Sequence, residues 1–279
     1  MLPTLVSLGP LRISSIGLFL MLAWAIWTFL FWKRLRDFAI EEDKIYSLMF
    51  ASSIIAFCTA RLTFVLSHWN LFSDTWLRIF TIWIQPGLSL YGALIGGIFT
   101  IVYLSTVYGL RLGVMLDVAM RAFGIAFIVG SVGSFLDGAQ YGIVGIPPWA
   151  VTYMGHIGRR HPVQIYEMIY VTFICLLLWI VGKKFHAYYQ RRPGLYAVWF
   201  FFYFSLGMFC LEYLKESSVY LGGLRFNQWI LVAIFAESCG MLYVRGGGRG
   251  YIRRIYATIS KRFLSKRTVS SGAGEETAQ

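Results

Sequence analysis

Seven long apolar segments run through this chain, and they limit the folds open to it more than any other feature. They are Ser14–Trp32, Ile45–Leu66, Leu88–Tyr108, Val114–Phe135, Pro162–Val181, Leu195–Leu214 and Gln228–Val244. A helix needs about 20 apolar residues to cross the hydrocarbon core of a bilayer, and none of these segments alternates as barrel strands do. Because lipid offers the backbone no hydrogen-bond partners, each segment should be helical. The sequence predicts an all-α, polytopic membrane protein with seven transmembrane helices.

Composition supports a single membrane domain. Hydrophobic residues make up 58% of the chain and charged residues only 14%, which is too few polar side chains to cover a soluble globule. The longest connections, roughly Ser67–Gly87 and Leu136–His161, leave no room for a soluble domain. We therefore expect one transmembrane domain over residues 1–245, with the first segment retained as a helix and not cleaved as a signal peptide.

Lys and Arg fall mainly on one side of the predicted membrane. Seventeen of the 25 lie in the connections after segments one, three and five and in the chain beyond segment seven. Cationic loops are retained in the cytoplasm, so the N-terminus should lie outside and the C-terminus inside. Residues 246–279 are predicted to form a cytoplasmic tail that is first basic and then disordered. We interpret its charge as a topology signal next to anionic lipid headgroups, and we expect no nucleic-acid partner.

Ionisable side chains inside the apolar segments are candidates for a site, because each costs roughly 2.5–3.5 kcal/mol to insert. They are Arg61, Asp117, Arg121, Glu167, Glu212 and Glu237. Asp117 and Arg121 are one helical turn apart, where they could neutralise each other. That pair could be structural as well as functional.

His161, Gln164 and Glu167 recur at intervals of three where the fifth helix begins. This spacing places them on related faces at the external interface, and Pro162 suits a first helical turn. We expect Glu167 to face the helix bundle near Gln164, Arg61 or Tyr91, because lipid would leave its carboxyl group without a partner. The pattern fits a polar site and a capping or surface histidine equally well.

Glycines are dense between Gly130 and Gly145, in the sequence GSVGSFLDGAQYGIVG. They would allow an ordered loop that approaches a ligand, with Gly138 near its centre. Close helix packing explains such glycines equally well. The sequence leaves both interpretations open.

Several motifs occur in an order that resembles a known family. They are LGPLRISSIGL, ARLTFVL, GLSLYGALIGG, GSVGSFLDGAQYG, HPVQIYE, LEYLKE and GGLRFNQW, spread from about Leu8 to Met241. Together with the predicted topology, they resemble the prolipoprotein diacylglyceryl transferases. The resemblance implies a multi-pass enzyme of the bacterial plasma (inner) membrane that moves the diacylglyceryl group of phosphatidylglycerol to the lipobox cysteine of a prolipoprotein. It implies phosphatidylglycerol, the lipobox segment and the bilayer as partners, and no metal or organic cofactor.

The resemblance also implies a set of site residues. Catalytic roles would fall to Tyr91, His161, Glu167 and Glu212. Substrate binding would fall to Arg61, Asp117, Arg121, Ser131, Ser134, Gly138, Gln164, Tyr166 and Gln228. Six polar positions of the family are replaced here, by Ile16, Tyr91, Ser131, Ser134, Ala139 and Met208. Ser131 and Met208 stand where the family carries arginines.

Three hypotheses follow from these observations. The first is a divergent, active diacylglyceryl transferase in which other cations hold the phosphate. The second is a non-catalytic relative that binds lipid or lipoprotein in the same cavity. The third, a transporter, is disfavoured because the sequence shows no repeat and no matched pair of broken hydrophobic segments.

Overall fold

A computed structural model describes residues 4–8, 11–73, 75–82, 85–216, 219–245 and 250. Within them, the α-helices are α1 Ser15–Arg36, α2 Glu42–Ser67, α3 Leu90–Val107, α4 Leu112–Asp137, α5 Val163–Lys184, α6 His186–Arg191, α7 Leu195–Glu212 and α8 Phe226–Arg245. The strands are β1 Thr4–Leu8, β2 Leu11–Ser14, β3 Val151–Thr152, β4 Arg159–Arg160, β5 Tyr220–Leu221 and β6 Leu224–Arg225. Apart from Gly250, the predicted tail lies outside the described residues.

Seven of these helices, all except α6, are long and apolar enough to cross a membrane, which confirms the predicted seven-helix membrane fold. Their ends differ slightly from the predicted ones. The first helix, for example, continues past Trp32 to Arg36. Lys33, Arg34 and Arg36 can extend it because cations are favourable in the last turn of a helix.

In the residues that the structure describes, three short antiparallel hairpins accompany the predicted helices. β1 pairs with β2 before α1, β3 pairs with β4 between α4 and α5, and β5 pairs with β6 between α7 and α8. β3 to β6 have only two residues each, which is too short for an alternating pattern to appear in the sequence. These hairpins shape the connections beside the membrane domain.

The helices pack in pairs through small residues. α1 packs mainly on α4, α2 on α3, and α7 on α8. Gly92 and Gly96 of α3 face Thr63 and Thr59 of α2 so closely that neither glycine has room for a Cβ atom. Close packing therefore explains these two glycines.

The spanning helices alternate in direction, so the bundle has two distinct ends. We call the end that carries connections 68–89, 138–162 and 213–225 the loop end. We call the other end, which carries the C-terminus of α1, connection 185–194 and Arg245, the basic end. The predicted topology makes the loop end external and the basic end cytoplasmic.

Candidate functional site

A buried ammonium group lies between two carboxylates at the loop end. The Nζ atom of Lys215 is 2.6 Å from Oε1 of Glu167 and 3.2 Å from Oε2 of Glu212. Asn227 Nδ2 donates a hydrogen bond of 2.8 Å to the other carboxylate oxygen of Glu212. All three charged side chains are almost fully buried, with exposed fractions of 13% for Lys215, 8% for Glu167 and 2% for Glu212. We call these four residues the Lys215 cluster.

The backbone around Lys215 is held by a small layer of extended chain. Helix α7 ends at Glu212, and the Lys215 N–H donates to the Glu212 carbonyl at 3.2 Å, which places Lys215 one turn further on. Segment 214–216 then pairs with segment 141–143, which in turn pairs with segment 159–161 at the start of α5. The layer therefore ties Lys215 to the chain that leads into Glu167.

The ammonium group of Lys215 is stabilised in its charged form. Burial disfavours the ammonium, but the negative charges of Glu167 and Glu212 and the neighbouring Tyr91 hydroxyl outweigh that effect and raise the pKa of Lys215 above its ordinary value. Lys215 is therefore a cation at neutral pH. The two carboxylates outnumber this one ammonium, so the cluster also offers a hydrogen-bond acceptor.

A cavity of about 260 Å³ opens beside the cluster. Its lining residues are His68, Ala139, Gln140, Tyr141, Glu212, Lys215, Glu216 and Asn227. Glu216 is ion-paired with Arg160, and the Arg160 guanidinium lies 5.1 Å above the Tyr141 ring. The cavity is thus lined by one ammonium residue, two carboxylate residues and two amide residues, with a second cation behind its wall.

Tyr91 and Glu167 are both buried next to Lys215. Glu167 is only 6% exposed and faces the bundle, as expected, although its partner is Lys215. Tyr91, in the first turn of α3, is 3% exposed and lies within electrostatic reach of Lys215. Tyr91, Glu167 and Glu212 are the three predicted catalytic residues that the fold brings together.

His161 and Tyr166 belong to a separate row of side chains in hydrogen-bond contact at the start of α5. Trp149 Nε1 donates to the Tyr166 hydroxyl at 2.6 Å, and that hydroxyl lies 3.1 Å from Nδ1 of His161. The predicted catalytic role of His161 and substrate role of Tyr166 stay predictions.

Gln164 joins the 138–162 connection to α5. Its side-chain N–H donates to the Gln140 carbonyl, and its Oε1 accepts from the Tyr153 hydroxyl at 3.1 Å. Burial, with repulsion from Tyr166, raises the pKa of Tyr153 to about 12, so this hydroxyl remains a donor at neutral pH. Gln164 therefore orders the cavity wall through Gln140.

Arg61 makes a structural contact that the sequence does not reveal. Its guanidinium donates four hydrogen bonds to backbone carbonyls, to Ile79 at 2.9 Å, Arg78 at 3.0 Å, Gln85 at 2.9 Å and Gly87 at 3.0 Å. It also stacks on aromatic rings, with its Cζ 5.2 Å from the ring centre of Phe72. Four of its five N–H donors are thus in use. Its hypothetical role as a phosphate clamp would require this connection to rearrange.

Asp117 and Arg121 lie away from the Lys215 cluster, and their predicted role in substrate binding stays a prediction. Asp117 accepts hydrogen bonds of 2.8 Å from the backbone N–H groups of Gly194 and Ala197, and so caps the N-terminus of α7. Glu212 ends the same helix, about 27 Å away at 1.5 Å per residue. Arg121 stacks on Tyr196 near that N-terminus. Both residues lie towards the basic end, and among the described ion pairs neither is bonded to the other.

Four other predicted binding residues have local structural contacts. Ser131 donates to the Phe127 carbonyl of its own helix at 2.8 Å. Gly138 ends α4 in the left-handed conformation, with φ of 74°, and donates to the Ser134 carbonyl at 3.1 Å. Gln228 is 1% exposed and accepts from the Arg225 N–H at 3.0 Å. Their predicted contacts with substrate remain predictions.

Two of the positions where the resemblance implies a cation carry none in this chain. Met208 is 1% exposed in the apolar core, and Ser131 is bonded within its helix, so neither position supplies a cation. Ala139 lines the cavity without a polar group. Lys215 is the cation that lines this cavity, and sequence reasoning missed it because it follows the last apolar residues of α7. The i, i+3 spacing of Glu212 and Lys215 in LEYLKE was the available signal.

Among the described residues, no group of three His, Cys, Asp or Glu side chains is arranged to hold a metal ion. The site is built from an ammonium, carboxylates, amides and hydroxyls. Such groups can bind a phosphate ester and accept a proton.

Comparisons with known proteins agree with the resemblance. Residues 3–244 match the family model described as prolipoprotein diacylglyceryl transferase. A Synechococcus elongatus protein named phosphatidylglycerol–prolipoprotein diacylglyceryl transferase is 27% identical over 256 residues, 88% of each chain. Proteins of the same name are 28% identical in Mannheimia succiniciproducens over 234 residues (82% of this chain, 84% of that protein) and 29% identical in Geobacter sulfurreducens over 192 residues (67% and 71%). Because the family model matches well over half of its length, the chain belongs to the prolipoprotein diacylglyceryl transferase family.

Proposed function

We propose that this protein transfers the diacylglyceryl group of phosphatidylglycerol to the lipobox cysteine of prolipoproteins at the outer face of the bacterial inner membrane. The names of its relatives support the reaction, and the topology predicted from Lys and Arg supports the location. The observation that carries the proposal is the Lys215 cluster beside a polar cavity at the loop end.

The reaction exchanges one bond for another. A carbon–sulfur bond forms between the cysteine sulfur and the glyceryl carbon of the lipid, while the bond from that carbon to the phosphate oxygen breaks. Glycerol phosphate leaves with the bonding electrons, and the thiol proton goes to an acceptor. The site must therefore stabilise negative charge on the phosphate and accept one proton.

The Lys215 cluster can meet both needs. The Lys215 ammonium lines the cavity and would stabilise the departing phosphate, a task for which Ser131 and Met208 carry no charge. Glu212 lines the same cavity and would accept the thiol proton. Glu167 would position the ammonium, since its carboxylate is 2.6 Å from Nζ and pairs with it more closely than Glu212 does.

An assay of the purified protein in phosphatidylglycerol bilayers with a lipobox peptide tests the proposal. We expect release of glycerol phosphate and a peptide whose mass has increased by one diacylglyceryl group. A peptide with serine in place of the lipobox cysteine should give neither product. If the protein binds phosphatidylglycerol but forms no thioether, while the Synechococcus elongatus relative does so in the same assay, the protein is a binding relative and the proposed activity is wrong.

The assignment of Glu212 has its own test. Glu212→Gln keeps the hydrogen bond from Asn227 but removes the proton acceptor, so turnover should fall about 100-fold or more while lipid binding persists. Glu237→Gln, on α8, is the matched control and should leave turnover nearly unchanged. Unchanged turnover in Glu212→Gln would move the acceptor role elsewhere.

A further inference from the structure

A second cavity lies at the basic end, on the opposite side of the membrane from the Lys215 cluster. It has a volume of about 260 Å³ and lies between α1 and α4. Its lining residues are Leu30, Lys33, Arg34, Asp37, Val118, Arg121, Ala122 and Ile125. Three of them are cationic, one is acidic and four are apolar.

The charges in this cavity are not balanced. Arg34 is bonded to Asp37 at 3.0 Å, which satisfies the only carboxylate in the lining. Within the described part of the chain, neither Lys33 nor Arg121 forms an ion pair. With three cations and one carboxylate, the lining therefore carries a net positive charge.

Arg121 lies deeper along its helix than the other cations of the cavity lie along theirs, so its charge is the one most in need of a partner. Arg121 lies nine residues into α4, about 13 Å along its axis, where a side chain borders the apolar part of a bilayer. Asp117, one turn earlier, is within electrostatic reach of Arg121, but its two carboxylate oxygens accept from backbone N–H groups of α7, and it does not line the cavity. The Arg121 guanidinium lies on the Tyr196 ring, 4.6 Å from its centre, and is held at the cavity wall.

The apolar part of the lining suits an acyl chain. Leu30 of α1 and Val118, Ala122 and Ile125 of α4 form the rest of the cavity. Ile125 lies one turn beyond Arg121, further towards the middle of the membrane, and is 46% exposed. The cavity thus offers cations at headgroup level and an apolar wall below them, the arrangement of basic lipid pockets between transmembrane helices.

We propose that this cavity binds an anionic phospholipid from the leaflet at the basic end, with its phosphate contacting Lys33 and Arg121. The charge imbalance favours an anionic headgroup over a zwitterionic one, and the apolar wall favours a lipid over a free phosphate. This site is independent of the proposed transferase reaction, since it involves none of the residues of the Lys215 cluster.

A photo-crosslinking residue at Ile125 tests the proposal in lipid nanodiscs. We expect it to crosslink phosphatidylglycerol at least about fivefold more than phosphatidylcholine at equal mole fraction. Lys33→Gln and Arg121→Gln should each reduce the phosphatidylglycerol adduct about fivefold, the effect of one cation near a lipid surface. Lys33 is exposed, so Lys33→Gln tests the charge even if Arg121→Gln alters packing.

Arg111→Gln is the matched control, because Arg111 is an exposed cation at the same end of α4 that does not line the cavity. Its adduct yield should equal that of the unsubstituted protein. Equal crosslinking of the two lipids, or yields unaffected by Lys33→Gln, would overturn the proposal. Complete competition by soluble glycerol phosphate would also overturn it, by showing a site for a free phosphate ester.

Discussion

Lys215 is placed so that its loss would leave two carboxylates without a counter-charge in a nearly dry environment. Glu167 and Glu212 are each at most 8% exposed, and both lie within 3.2 Å of its ammonium. In the proposed reaction the same ammonium meets the phosphate. Under this proposal, one residue would contribute both to the stability of the loop end and to the reaction.

Lys215→Met should destabilise the protein by about 3–5 kcal/mol, because removing one partner leaves buried charges uncompensated. Lys215→Arg should recover much of that loss, since it restores the cation. Thermal unfolding in detergent measures both. Lys184→Met, which removes an exposed lysine at the basic end, is the control and should change stability by less than about 0.5 kcal/mol. Equal effects at both lysines would contradict the ion cluster.

The raised pKa of Lys215 also sets a pH dependence. A raised pKa means that the cluster's stabilisation is complete below the ordinary value of 10.5 and is lost only as the pH rises through the higher folded value. From about pH 7 to about pH 10, the melting temperatures of the unsubstituted protein and of Lys215→Arg should therefore change in parallel. If the melting temperature of the unsubstituted protein falls more steeply over this range than that of Lys215→Arg, Lys215 loses its proton at a lower pH than we expect.

The sequence allowed part of this site to be predicted at the level of single residues. Glu167 and Glu212 stood out because acids are costly inside apolar segments. Lys215 did not, because a lysine beyond a helix end usually lies in water. Its burial depends on segment 141–143 pairing with segment 214–216, a contact between chain regions about 70 residues apart that no local pattern encodes.

At the scale of elements, Arg61 organises the connection between α2 and α3. It ties carbonyls from Arg78 to Gly87 to the end of α2, just before Tyr91 enters the site. Charge-assisted hydrogen bonds of this kind contribute roughly 1.5–3 kcal/mol each. The connection is therefore held by one side chain.

Arg61→Ala should loosen this connection and reduce turnover indirectly through Tyr91. We expect hydrogen exchange in segment 85–89 to accelerate at least tenfold, since several bonds are lost at once. Arg78→Ala is the control, because only the backbone carbonyl of Arg78 takes part and its side chain is exposed. If Arg61→Ala reduces turnover but leaves hydrogen exchange in segment 85–89 unchanged, a direct contact between Arg61 and substrate is favoured instead.

Long helices were more predictable than the structures that join them. The seven spans follow from the length of the apolar segments. Strands β3 to β6 are instead stabilised by pairing with each other, and two residues are too few to show an alternating sequence pattern. Asp117 shows the same limit. Its spacing allowed an ion pair with Arg121, but its carboxylate oxygens instead accept from two backbone N–H groups at the N-terminus of α7.

At the scale of the whole molecule, the two ends of the bundle carry different chemistry. The loop end holds the Lys215 cluster and its cavity, and the basic end holds the cationic cavity between α1 and α4. This division agrees with the proposed transfer reaction on the external side and the proposed lipid-binding cavity on the cytoplasmic side. The orientation itself follows from the distribution of Lys and Arg and is a prediction.

Reporter fusions test this orientation. A reporter at Gly194 or after Gln279 should be cytoplasmic, and one near Gly155 should be external, because cationic connections stay inside. An external signal from the fusion after Gln279 would contradict the predicted topology and would place the Lys215 cluster on the wrong side for prolipoproteins.

One kinetic comparison tests most directly whether Lys215 takes part in the transfer reaction. Glycerol phosphate release with phosphatidylglycerol and a lipobox peptide should be measured for the unsubstituted protein, Lys215→Arg and Lys215→Met, each at a temperature where it is folded. We predict release by the first two and a loss of about 100-fold or more in Lys215→Met, as expected when a group that stabilises developing charge is removed. Equal release by Lys215→Met and the unsubstituted protein would contradict a role of Lys215 in the transfer.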